Sequence, residues 1–239
     1  MIRFYFNPGP NPMKVALLLE ETGLEYEVIP VDPARGEQFS PTFTAINPNN
    51  KLPALVDGDA VVFDSNAILL YLAEKSCQFL SADTPADRAQ LLSWLMFVAT
   101  GVGPYCGQAV HFRHFAPEPK DYALGRYTFE AHRHYKILDT HLADREWMIG
   151  DCYTIVDMAV WGWGRSVATS LGEEAAQEFT HLHRHVAKIS ERPAAIRAMA
   201  LREQYSFNAF DEEGRRHLFR HVQPAARTQH VQSATKRTA

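Results

Sequence analysis

The chain has 239 residues, a formal net charge of -4 and 46% hydrophobic residues, which suits one large or two small domains with real cores. The charge gives no general argument for nucleic acid, and no apolar run approaches the length of a membrane span. Cys77, Cys106 and Cys152 form no CxxC pair and no metal-like cluster, which points to free thiols in a reducing cytoplasm.

Met1 to Pro8 lacks the long apolar segment of a signal peptide. Ile2–Phe6 reads as a strand. Asn11-Pro12 reads as an N-cap followed by proline at the first helical position. The helix Met13–Thr22 carries Val15, Leu18 and Leu19 at helical spacing and stops at Gly23. Tyr26–Val31 is a second strand, and Gln38–Ile46 a short irregular helix. Leu55-Val56 and Val61–Phe63 form a hairpin across Asp57-Gly58-Asp59, and Ala67–Lys75 closes the unit. Its parallel strand pair requires the helical crossover found here.

From Ala86 no strand pattern persists. Ala86–Val102, Asp121–Ala143, Ile155–Ser170, Phe179–Glu191 and Ala194–Leu201 read as helices. Thr154 and Asp157 form a variant capping box, a structural signal. Gly214–Val222 reads as a short amphipathic helix. Ala225–Ala239 reads as a disordered, solvated basic tail. The expected organisation is an α/β domain over residues 1–80, an all-α domain over 86–210 and a tail over 211–239.

The segment Pro48 to Asp57 places a proline at the entry to a strand, where a missing N–H is tolerated. An X-Pro bond there is open to the cis form. Such a turn leaves the backbone of Leu52 facing outward, ready to pair with a peptide. Asp64-Ser65-Asn66 then opens the apolar run Ala67–Leu72, and a helix N-terminus suits a carboxylate. A strand edge beside a helix tip is a site for a small acidic peptide.

These motifs resemble the glutathione-binding half of the glutathione S-transferases, over roughly residues 1 to 205. Pro8-Gly9-Pro10-Asn11, Gly36-Glu37-Gln38-Phe39, Asn47-Pro48-Asn49-Asn50-Lys51 and Gly103-Pro104-Tyr105-Cys106-Gly107-Gln108 resemble the nu class. That class includes bacterial glutathione-dependent disulfide-bond reductases and lies near the yeast nitrogen regulator. The resemblance implies a thioredoxin-like N-terminal domain, an all-α C-terminal domain and a cytoplasmic homodimer; from the residues themselves, no metal, nucleic-acid or membrane partner is expected. The thiol is then supplied by glutathione, and the protein favours its thiolate, the nucleophile.

Within that resemblance Asn11 is the first candidate for the thiolate donor, beside its plain reading as an N-cap. Gly9 stands where the class often places a threonine. Tyr5 is the rival donor, with ring packing as its alternative. Leu52 and Pro53 are implied to pair with the cysteinyl part, Lys51 and Gln38 with the glycine carboxylate, and Asp64 with the γ-glutamyl ammonium. Ser65, with Asn66 as a weaker candidate, is implied to hold the γ-glutamyl carboxylate. Arg126 is implied to reach glutathione across a dimer interface, against an ordinary solvated helix arginine. Cys106, Gln108, His111 and Phe112 are candidates for the second-substrate cleft, with core packing equally open for Cys106 and Phe112. Trp161 and Trp163 read as packing. His181, His183 and His185 do not make a ligand set, since only the outer two share a helix face. The expected activity is reduction of disulfides by glutathione, with glutathione disulfide as a further ligand. Two alternatives stand: conjugation of glutathione to an electrophile or reduction of hydroperoxides, and a non-catalytic glutathione-binding module.

Overall fold

The structure, a computed structural model, describes residues 1–80, 84–207 and 211–219. The N-terminal part holds β1 (Ile2–Phe6), α1 (Pro10–Thr22), β2 (Tyr26–Pro30), 3-10 turns at Pro33–Arg35 and Glu37–Phe39, α2 (Pro41–Ile46), β3 (Ala54–Asp57), β4 (Ala60–Phe63) and α3 (Ser65–Ser76). The sheet order is β2-β1-β3-β4. β1 and β2 run parallel, while β3 is antiparallel to β1 and to β4. Strand alternation is plain in β1: Ile2, Phe4 and Phe6 are buried while Arg3 is exposed.

The helix α1 departs from its expected start. Gly9 is the N-cap, Pro10 the first helical residue, and Asn11 lies inside the first turn. Proline is tolerated at that position because the N–H it lacks would have no partner there. The helix ends as expected: Gly23 adopts φ +67 and its N–H donates to the Leu19 carbonyl at 3.1 Å. From Pro12 to Leu19 every residue is buried, because the helix packs on the sheet layer and α3 on one side and on the second half of the chain on the other.

That second half is helical: α4 (Pro85–Phe97), a π-helical stretch Val98–Val102, α5 (Gly103–His114), α6 (Asp121–His141), α7 (Ile155–Gly164), α8 (Val167–Leu171), α9 (Glu173–Ala176), α10 (Thr180–Ser190), α11 (Pro193–Gln204) and α12 (Glu212–Leu218). The helix expected to end at Val102 runs on through the π-helical stretch into α5, whose second residue is Pro104. The helix expected to run from Ile155 to Ser170 is split. The Tyr135 hydroxyl donates to the Trp163 carbonyl at 3.0 Å, and the Arg165 guanidinium turns back over the Trp161 ring at 4.4 Å.

The halves meet along α1. Arg192 pairs with Glu21 at 2.5 and 3.0 Å, and Arg197 with Glu20 at 2.5 Å. Of the expected Gly214–Val222 helix, the described part is α12, which begins two residues earlier. Residues 220–222 and the tail 225–239 lie outside the described residues. No described helix is long and apolar enough to cross a membrane.

Candidate functional site

A cavity of about 980 Å³ opens between the two halves, at the upper end of the range of about 300–1,000 Å³ for small-molecule sites. One wall is the loop before β3. Asn47 is buried and clips that loop: its Nδ2 donates to the Lys51 carbonyl at 2.6 Å and its Oδ1 accepts from the Asn49 N–H at 3.0 Å. The Thr44 hydroxyl donates to Asn50 Oδ1 at 2.8 Å, which holds Asn50 at φ +53. The Leu52–Pro53 bond is cis, and Leu52 precedes the ladder of β3 with β4, which begins at Ala54. Lys51, Leu52 and Pro53 all line the cavity.

The next wall is the start of α3. Asp64 is the N-cap, and its Oδ1 accepts from the N–H groups of Asn66 at 2.9 Å and Ala67 at 3.2 Å. It does so at φ +73, an unfavourable region for a residue with a Cβ. Strained non-glycine residues concentrate where a side chain must be aimed. Asp64, Ser65 and Asn66 line the cavity, and the last two are otherwise buried.

From α1 come Asn11 and Lys14. Asn11 Oδ1 accepts from Trp163 Nε1 at 2.9 Å. An indole nitrogen only donates, so its partner must be the amide oxygen, and this orients the Asn11 amide. With the oxygen so engaged, Nδ2 is the remaining hydrogen-bonding group that this cavity-lining amide has to offer. The N-cap reading of Asn11 is corrected, since Gly9 caps α1; Trp163 packs in the core as expected and in addition holds Asn11. Trp161, by contrast, is fully buried and donates to Ser190 Oγ at 3.0 Å. Lys14 is 1% exposed and its Nζ lies 3.4 Å from Ser65 Oγ. Burial pushes its pKa down to about 7, with Asp64 pulling it partly back.

The far wall belongs to α5 and to the end of α12. Gln108, His111 and Phe112 line it, together with Leu218 and Phe219. Phe112 stacks on Tyr127 at 5.4 Å, and His111 meets Phe219 edge-on at 4.7 Å. The cavity thus has a cationic and hydrogen-bonding side on the sheet half and an aromatic side on the helical half.

Four expected candidates lie elsewhere. Gln38 is buried beneath the turn Pro33–Arg35, where its Nε2 donates to the Pro33 carbonyl at 3.3 Å; the 3-10 turn faces its side chain inward, away from the cavity. Tyr5 packs edge-on against Phe43 at 5.6 Å, in a small core on the other face of the sheet. Arg126 is absorbed within its own helix, pairing with Glu130, which also binds Arg133, and it does not line the cavity of this chain. Cys106 is on the inner face of α5, fully buried beside Tyr135, and burial pushes its thiol up to about 12. The cleft reading of Cys106 is therefore corrected to core packing. Iodoacetamide near neutral pH is expected to label the exposed Cys77 and Cys152 and to spare Cys106 until the chain unfolds, as mass spectrometry of the labelled peptides would show.

Lys14, Asn47, Trp163 and the aromatic end of α12 were not anticipated as parts of the site. Lys14 carried the one usable signal, a charge set inside the apolar run Met13 to Leu19. The histidine tract serves structure: His183 bonds the Ala176 carbonyl and His185 the Glu146 carbonyl.

Residues 1–74 match the glutathione S-transferase N-terminal domain and residues 104–193 the glutathione S-transferase C-terminal domain. The disulfide-bond oxidoreductase YfcG of Escherichia coli is 46% identical over 170 residues, covering 68% of this chain and 79% of that protein. A Pseudomonas putida glutathione transferase, crystallised with one glutathione disulfide per subunit, superposes with a TM-score of 0.78 at 39% identity, over 83% of this chain and 90% of that one. The glutathione transferase URE2P6 of Phanerochaete chrysosporium, in complex with oxidised glutathione, gives a TM-score of 0.79 at 35% identity, over 86% of this chain and 97% of that one.

Proposed function

This chain belongs to the glutathione S-transferase family, and from that premise we propose that it reduces disulfide bonds with glutathione. The tripeptide lies with its cysteinyl backbone along Leu52 and Pro53. Its γ-glutamyl end meets the start of α3, with Asp64 on the ammonium and Ser65 and Asn66 on the carboxylate. Lys51 meets the glycine carboxylate. The sulfur then faces Asn11, and the wall of Gln108, His111 and Phe112 receives the disulfide. Arg126 is assigned to the site of a second protomer of a homodimer.

The carrying observation is the bond from Trp163 Nε1 to Asn11 Oδ1 at 2.9 Å. It fixes the Asn11 amide so that its N–H₂ group is a donor to an anion, and the N–H groups at the start of α1 add to the same field. A donor aimed at sulfur favours thiolate over thiol. The thiolate attacks one sulfur of the substrate disulfide, forming a glutathione mixed disulfide and expelling the other sulfur as a thiolate, which takes a proton. A second glutathione thiolate then attacks the mixed disulfide, giving glutathione disulfide and the second reduced thiol.

Asn11→Ala is expected to raise the pKa of enzyme-bound glutathione, followed by thiolate absorbance, and to slow reduction of a model disulfide about tenfold or more, the effect of one charge-assisted hydrogen bond. Trp163→Phe, which frees the amide to rotate, is expected to give a smaller shift in the same direction. An unaltered titration in Asn11→Ala would remove the assignment. Glutathione binding without turnover of disulfides, hydroperoxides or aryl halides would leave a binding module in place of an enzyme.

A further inference from the structure

Lys14 has no part in the sulfur chemistry proposed above, yet it sits against the site. Lys51, the other lysine of the cavity wall, is exposed, whereas Lys14 is buried to 1% exposure. Its stem is pinned by the close approach of α7: a Cβ built on Gly162 would stand 2.5 Å from Lys14 Cγ and 3.2 Å from its Cε. That leaves the amine directed at Ser65, whose Oγ is 3.4 Å away and itself buried at 3% exposure. A serine hydroxyl that accepts from an ammonium still carries one O–H to donate. The charge behind it polarises that O–H toward an anion.

We propose that Lys14 is a positioning residue for the ligand's carboxylate: it donates to Ser65 Oγ, Ser65 donates to the carboxylate, and Lys14 takes up a proton from solvent as the carboxylate docks. This rests on the glutathione reading of the site. Uptake follows from the balance of charge. The charged side chain acting on the buried amine is Asp64, the cap of α3, while α3 also brings Ser65 and Asn66 and α7 brings Gly162, all uncharged. Burial outweighs Asp64, so the empty site leaves the amine at the edge of ionisation, with its pKa near 7. A second carboxylate close by favours the ammonium. His111 lines the same cavity and, as a histidine, is the rival acceptor of such a proton.

The test is calorimetry with glutathione disulfide, which has no thiol to release a proton, in buffers of different ionisation heat. At about pH 7.5 the wild-type protein is expected to take up between about half and one proton per site, and close to none at about pH 5.5, where Lys14 is already charged. Lys14→Met is expected to bind with no uptake and on the order of tenfold more weakly. Lys14→Arg, permanently charged, is expected to bind without uptake and with near wild-type affinity. Wild-type binding whose heat is independent of buffer would overturn the inference while leaving the glutathione site standing. So would undiminished uptake in Lys14→Met, which would place the proton on His111. No binding heat from the wild-type protein would overturn both readings.

Discussion

Asp157→Ala is expected to cost about 3–5 kcal/mol of stability, the sum of a lost helix cap and of buried donors left without a partner. Asp157 is fully buried at the start of α7. Its Oδ2 accepts from the Thr154 N–H at 2.7 Å and the Thr154 hydroxyl at 3.0 Å, and its Oδ1 accepts from the Met148 N–H at 2.8 Å. One carboxylate therefore ties the loop through Met148 to the helix that carries Trp163. Removing it orphans two buried backbone N–H groups, while an ordinary exposed cap would lose only about 1 kcal/mol. For a chain of this size the melting temperature should fall by on the order of 10 °C, read by calorimetry or circular dichroism. An unchanged midpoint would show that the box is decorative.

The same carboxylate carries a pH signature. Its neighbour His185 is buried, with Nε2 3.5 Å from Asp157 Oδ1. Burial pushes Asp157 up to about 7 and His185 down to about 4. Asp157, with a folded pKa above its unfolded value, contributes stability that is lost as pH rises from about 4 to 7. His185, with a folded pKa below its unfolded value, contributes stability that is gained over about pH 4 to 6.5. In that window the folded pair and the unfolded pair each hold one proton, so the two slopes cancel. His185→Gln should uncover the slope of Asp157, so that its stability falls relative to the wild-type profile as pH rises through the window.

What the sequence disclosed followed from local rules. The alternation of Ile2, Phe4 and Phe6, the stop at Gly23, the hairpin at Asp57-Gly58-Asp59 and the box at Thr154 and Asp157 each depend on neighbours in the chain, and each is where it was expected. So is the helix tip at Asp64 and Ser65, because an N-cap is written in a few consecutive residues. The departures share a different cause. Asn11 bonds a tryptophan 152 residues away, and Lys14 is buried by a glycine on α7. Cys106 and Phe112 alternate between core and cavity only because α5 exists, and Gly103-Pro104 hid that helix. Gln38 turns inward through a 3-10 geometry that periodicity does not encode. The fold was legible because its signals are local, whereas the site is built at a seam between segments distant in sequence.

That seam makes Gly162→Ala the most telling change at the site. A Cβ there would lie 2.5 Å from Lys14 Cγ and 2.8 Å from the Pro10 carbonyl oxygen. The lysine stem can bend, but the carbonyl is backbone in the first turn of α1, so the two helices must part. Overpacking of this kind costs about 1–3 kcal/mol, and the backbone contact argues for the upper end. Alanine regains about 1 kcal/mol of helix propensity over glycine, which leaves a net loss of about 2 kcal/mol. Parting α1 from α7 also pulls Asn11 from Trp163, and the new Cβ displaces the Lys14 stem that reaches Ser65 on α3, so glutathione affinity should fall on the order of tenfold. Gly164→Ala is the matched control two residues on. Its Cβ would stand 2.6 Å from Val186 Cγ2 of α10, so it should disturb packing and leave glutathione affinity intact. Equal affinity in both variants would mean that the contact between α1 and α7 does not set the geometry of the site.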